Sequence, residues 1–212
     1  EALRQLDRFR EELRACYAGA SHASVFVALR QSIDLHQIPI EPFLDLIDAF
    51  AQDQRITRYD TVGQVLEYCR RSAKPVGRLV LYVCGYRDDQ RQRLSDLTCS
   101  ALQLANFWQD VRRDLHDLNR IYLPRGTMDR FGVSEQQLLD GRVDDQYRAM
   151  IRFEVDRTES MFAQGDCLLP LLDPSVRRHI ALFSLGGRAV LESIRKQNYD
   201  TLTTRPSLSA WQ

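Results

Sequence analysis

Apolar residues recur along this chain at three- and four-residue spacing, and no stretch alternates apolar and polar over a strand length. Leu3, Leu6, Phe9 and Leu13 mark a first helix, and Ser24–Leu35 a second. Pro39 and Pro42 mark a turn feeding a helix from Pro42 to Asp53. Residues 59–85 read as one long helix, with Thr61 as its N-cap and Pro75 as an interior kink. Residues 90–118 read as another, followed by a loop over 119–126. Ser134, with Gln137 three residues on, has the form of a capping box for a short helix. Residues 144–169 and 174–196 complete the helices, with Gly186 and Gly187 expected as a close-packing point. An irregular tail from Asn198 contains Arg205-Pro206. The pattern predicts an all-α chain of one domain, 1–212, with no repeat or linker.

Composition changes this picture little, mainly by exclusion. Lys plus Arg and Asp plus Glu balance at 29 each, so the basic surplus of a general nucleic-acid binder is missing. No window approaches the ~18 uncharged apolar residues of a membrane span. The five cysteines lack C-x₂-C spacing and read as buried free thiols in a reducing cytoplasm. The four histidines are scattered. The chain opens on Glu1, inside a helical pattern, which predicts further residues upstream.

One segment carries candidate chemistry. Leu97–Gln109 holds thirteen uncharged residues in a row, although 27% of the chain is charged. A helix uncharged around its circumference is a buried helix. Asp110 and Asp114 follow, spaced D-x-x-x-D. At about 100° per residue, Gln103, Asn106, Asp110 and Asp114 share a stripe roughly 80° wide. Leu102, Cys99 and Phe107 flank it, and Leu104, Ala105 and Trp108 cover the opposite face. Amides and carboxylates set in an apolar wall are costly unless something engages them. Paired carboxylates suit Mg²⁺, which takes oxygen ligands and keeps several waters. Mg²⁺ suits a diphosphate. The alternative is a plain amphipathic helix whose polar stripe meets water.

LQLANFWQDVRRDL followed by NRIYLP resembles the second aspartate-rich region of squalene and phytoene synthases. Leu102, Gln103, Asn106, Asp110, Asp114, Arg120, Tyr122 and Pro124 match its pattern over 23 residues. YCRRSAKPVGRL resembles a second family segment through Tyr68, Cys69, Ala73, Val76 and Gly77. Ser72 stands where the family usually has Val, and with the Asp-Gln after Ala51 this looks most like the bacterial, hopanoid-type squalene synthases. The resemblance implies the all-α isoprenoid synthase fold, with helices around a central apolar cavity and its first helices missing here. It implies Mg²⁺ on Asp110 and Asp114, and a prenyl diphosphate held by Gln103, Asn106, Arg120 and Tyr122. Tyr68 and Ser72, one helical turn apart, are the implied catalytic pair facing a carbocation.

The implied reaction turns presqualene diphosphate into hydroxysqualene. The alternatives are head-to-head prenyl transfer, giving presqualene diphosphate or phytoene, and a catalytically inactive assembly subunit of the same fold. The implied setting is cytoplasmic, with peripheral contact at the inner membrane face; oligomeric state stays open.

The chain also departs from the family pattern. The family's first aspartate-rich motif, with its preceding Tyr and Arg, is absent from 1–212 and is expected upstream of Glu1. Asp45 and Asp48 do not replace it, being expected on a solvated face. Gln109 stands where the family often has Arg, which predicts a lost diphosphate-binding cation and favours a reaction that starts from one diphosphate. Asp53 is expected either to accept from Arg58 or to lie near the site.

Overall fold

The computed structural model describes residues 1–207, which are helical throughout, with no strand among them. The helices are α1 (Ala2–Tyr17), α2 (Ser24–His36), α3 (Glu41–Gln52), α4 (Val62–Ser72), α5 (Lys74–Val83), α6 (Asp89–Gln109), α7 (Val111–Leu118), α8 (Arg125–Phe131), α9 (Glu135–Leu139), α10 (Asp145–Gly165) and α11 (Pro174–Lys196). A 3-10 turn over Asp166–Leu171 follows α10, so the helix expected to reach residue 169 ends at Gly165.

Helix α6, uncharged from Leu97 onward, lies at the centre, packed by α4, α5, α10 and α11. Ala101, Leu104 and Trp108 are fully buried, and the Trp108 indole donates to Thr158 Oγ1 on α10 at 2.8 Å. Leu13, Cys16, Phe26, Ile33 and Ile47 form a separate apolar cluster joining α1, α2 and α3.

Two expected long helices are broken. The 59–85 segment starts at Val62, because Thr61 and Gln64 close a full capping box, and it divides at Ala73 just before Pro75. The 90–118 segment divides at Asp110, whose φ of −105° and ψ of 18° leave the helical region. Helix α8 begins at Arg125, inside the loop expected over 119–126, and is ended by Gly132 at φ 69°. The Ser134 cap forms by half: its hydroxyl accepts from Gln137 N–H, but the Gln137 amide donates to the Arg142 carbonyl.

Tight helix approaches occur at particular glycines. A Cβ at Gly187 would collide with Phe162 and stand 2.9 Å from Leu102, which fixes α11 against α10 and α6. Gly186, expected to share that role, has nothing within 4 Å of a Cβ. Gly77 sits against Cys99 and Ser95, which fixes α5 on α6.

Candidate active site

The segment after α7 turns back beside residues 57–60. Ile121 N–H donates to Thr57 O and Arg125 N–H to Tyr59 O, both at 2.9 Å. This pairing brings Tyr122 into the core. Its ring stacks on Phe107 with centroids 3.7 Å apart and planes 7° apart. Tyr59 and Tyr68 lie 5.7 Å from it on other sides. The result is an aromatic box in which Tyr68 is 5% exposed. Burial, together with the neighbouring Tyr122 and Asp53, drives the Tyr68 phenol well above its ordinary pKa, so it is neutral at physiological pH.

Beside the box stands an ion pair the motifs did not announce. Arg120 lies 3.4 Å from the Asp53 carboxylate, donates to the Asp53 backbone carbonyl at 2.9 Å and reaches the Tyr122 hydroxyl at 3.5 Å. Asp53 Oδ1 is buried without a hydrogen-bond partner. Burial raises the Asp53 pKa, with Tyr68 and Arg120 opposing the rise. Arg58 is engaged elsewhere, at 2.5 Å from Glu135, so the expected Asp53–Arg58 contact is replaced by Asp53–Arg120. Asp45 and Asp48 pair with Arg70 and Arg10, away from the box.

Asp114 is half-buried near this group. Desolvation and the like charge of Asp110 push its pKa up to about 6, against the pull of Arg113 and Arg120. A divalent cation would relieve that cost. Asp110 is 4% exposed and differently engaged. Arg205, from the tail, grips it with Nε and with Nη2 at 3.1 Å from Oδ2, while the Asn106 amide donates to the same oxygen at 3.2 Å. Gln109 completes the anchor by accepting from Arg205 at 3.2 Å and donating to the Pro206 carbonyl at 2.6 Å. Arg205 thus puts a guanidinium beside Gln109 from 96 residues away, engaged there with the Asp110 carboxylate. No group of three or more His, Cys, Asp or Glu suited to a metal is present among the described residues. Two carboxylates fit Mg²⁺, which tolerates few protein ligands.

Asn106 is exposed and Gln103 half-buried on the same stretch of α6, but the break at Asp110 leaves only these two of the expected stripe on that helix. Toward the helix N-terminus that stripe enters an apolar groove of about 140 Å³ lined by Val76, Val80, Cys99, Leu102, Ile180 and Phe183. Val76 and Phe183 are about half exposed, so the expected central cavity is here a groove open on one side. Ser72 is the last residue of α4, one turn after Tyr68, and its hydroxyl is buried without a partner.

The sequence profile of squalene/phytoene synthases matches residues 1–212. The chain belongs to the squalene/phytoene synthase family. Its fold is that family's isoprenoid synthase fold. Over 92% of this chain and 74% of the other, it superposes on the squalene synthase HpnC of Alicyclobacillus acidocaldarius with a TM-score of 0.90 and 46% identity. A phytoene synthase of Thermus thermophilus is 32% identical over 92% of this chain and 67% of its own length. A hydroxysqualene synthase of Sinorhizobium fredii is 34% identical over 80% of this chain and 56% of its own length. The family is one of prenyltransferase-type enzymes acting in isoprenoid biosynthesis. Among the described residues no helix is long and apolar enough to cross a membrane.

Proposed function

We propose that the protein is a Mg²⁺-dependent enzyme converting presqualene diphosphate to hydroxysqualene. The observation that carries this reading is the polarity of the C-terminal half of helix α6. Cys99, midway along the helix, borders the apolar groove, and the C-terminal end meets Asp110. These eleven residues span roughly 16 Å at 1.5 Å per residue. An amphiphile with a prenyl tail and a diphosphate head has that polarity and scale. The relatives named for squalene and hydroxysqualene synthesis favour the alcohol-forming step.

Asp110 and Asp114 would hold the metal, which would supply Lewis-acid neutralisation of a leaving diphosphate. Arg120 and Tyr122 would donate to the phosphate oxygens, while Gln103 and Asn106 would bond the head group or orient the carboxylates. The neutral Tyr68 ring, backed by Tyr59, Tyr122 and Phe107, offers an electron-rich face to a cation and excludes bulk water. An amphiphilic C₃₀ diphosphate as substrate and a largely apolar C₃₀ alcohol as product imply peripheral membrane contact.

Head-to-head prenyl transfer is the second reading, and Arg205 favours it: its guanidinium beside Gln109 could serve a second diphosphate. Product analysis separates the two. Full-length protein with Mg²⁺ and presqualene diphosphate should yield hydroxysqualene. Farnesyl or geranylgeranyl diphosphate condensed to a cyclopropyl diphosphate or phytoene, with presqualene diphosphate left untouched, would reject the first reading.

A further inference from the structure

The break between α4 and α5 carries more polar atoms than its packing uses. Pro75 has no N–H to give the Arg71 carbonyl, its ordinary helical acceptor. Val76 N–H turns to the Ala73 carbonyl at 3.2 Å, a three-residue bond in place of the four-residue bond to Ser72. Ser72 Oγ is itself buried without a hydrogen-bond partner. Other hydroxyls in helices of this chain behave differently: Ser100 and Thr158 donate to the carbonyls four residues back, at 2.7 and 2.8 Å. Ser72 forgoes that bond. Two carbonyls released from helical pairing and one free hydroxyl therefore belong to one turn, and an ordered water needs two to four such partners.

The surroundings of that turn are apolar and placed for chemistry. Tyr68, one turn before, belongs to the aromatic box. Ala73 packs in the same core cluster as Tyr68 and Phe107. Val76 and Gly77, one turn after, line the groove. Ser72 thus follows a box residue by one helical turn and precedes the groove-lining Val76 by another.

We propose that Ser72, with the carbonyls freed at this break, holds one ordered water and presents it to the carbocation, and so sets whether the product is an alcohol. This deepens the function proposed above and rests on it. When the substrate's C–O bond breaks, the electron pair leaves with the diphosphate. The water oxygen then forms the new C–O bond, and its surplus proton passes to the released diphosphate. No oxidant or reductant is needed. In a squalene-forming site, an aliphatic residue at this position would keep the wall dry.

The test compares full-length wild type with Ser72→Val, Ser72→Ala and Ser72→Thr, each given presqualene diphosphate and Mg²⁺. The alcohol is read as a share of all products by gas chromatography and mass spectrometry. In Ser72→Val and Ser72→Ala the share should fall roughly tenfold, a barrier change of about 1.4 kcal/mol, with hydrocarbon rising in its place. Ser72→Thr should retain it. An unchanged share in Ser72→Val would overturn the proposal. So would a wild type that releases diphosphate yet forms only hydrocarbon, although diphosphate chemistry would then stand. A wild type that leaves the substrate untouched would remove the underlying reading as well. A crystal structure gives a readout independent of turnover. A water about 2.8 Å from Ser72 Oγ should be present in wild type and missing in Ser72→Val; an empty turn in wild type contradicts the proposal.

Discussion

Asp114 and Asp110 sit four residues apart and meet opposite fates. Asp110 has Arg205 and Asn106 as partners, whereas Asp114 bears desolvation and its neighbour's charge. A carboxylate whose pKa is raised from 3.8 to about 6 destabilises the folded state wherever it is ionised. Discounted for the solvent screening of a half-buried carboxyl, Asp114→Asn should therefore raise metal-free stability by on the order of 1–2 kcal/mol at pH 8. The gain should shrink as the pH falls through 6 and vanish below about 4, where the acid is protonated in both states. Urea melts at pH 8 and pH 4 check this, and an equal difference at both would contradict the assigned cause. The sequence made both aspartates legible, because thirteen uncharged residues precede them. It could not reveal their different partners, because Arg205 lies 95 residues from Asp110. Asp53 was only half legible for the same reason: its partner Arg120 is 67 residues away, and the nearby Arg58 was the misleading candidate.

At the scale of elements, hydrophobic periodicity located the long helices but not their interruptions. The three-to-four spacing runs unbroken through Asp110 and Ala73, so only backbone geometry exposes the breaks there. Pro75 was a visible warning of the second. The two adjacent glycines of α11 show the same limit. Gly187→Ala forces a methyl into Phe162 and Leu102 and should cost roughly 1–3 kcal/mol. Gly186→Ala meets open space in a helix interior and should stabilise by about 0.5–1 kcal/mol. Thermal denaturation should show opposite signs, and equal losses at both would contradict this packing. Gly165→Ala is a further check. Its Cβ would stand 3.0 Å from the Thr98 backbone nitrogen, which cannot swing aside as a side chain can, so α10 should loosen from α6 by a comparable amount.

At the scale of the molecule, the tail acts as a strap across the site. The Asp200 carboxylate accepts from Leu202 and Thr203 N–H. Thr201 bonds the buried Tyr147 hydroxyl at 2.7 Å, and Arg112 donates to the Thr203 carbonyl at 3.0 Å. Arg205 then reaches Asp110, and the Ser207 carbonyl accepts from Ser193. Apart from the local Asp200 turn, these contacts are long-range, which is why the tail read as irregular. Arg205→Ala leaves the buried Asp110 carboxylate with only the Asn106 amide at 3.2 Å and Arg113 at 3.9 Å. Because Arg205 is itself half exposed, the expected loss is about 1–2 kcal/mol, below the cost of breaking a fully buried pair. Adding Asp110→Asn should recover much of it; losses that simply add would show that the strap is held by its backbone contacts alone.

The account turns on the two carboxylates where α6 ends and α7 begins as the seat of metal-dependent diphosphate chemistry. The most direct measurement is diphosphate release from presqualene diphosphate as Mg²⁺ is titrated into full-length wild type, Asp110→Asn and Asp114→Asn. Wild type should release diphosphate with saturable dependence on Mg²⁺, and each variant, folded by circular dichroism, should lose at least about a hundredfold of that rate, roughly 2.7 kcal/mol of barrier. Wild-type release by either variant at the same Mg²⁺ concentration would contradict the account.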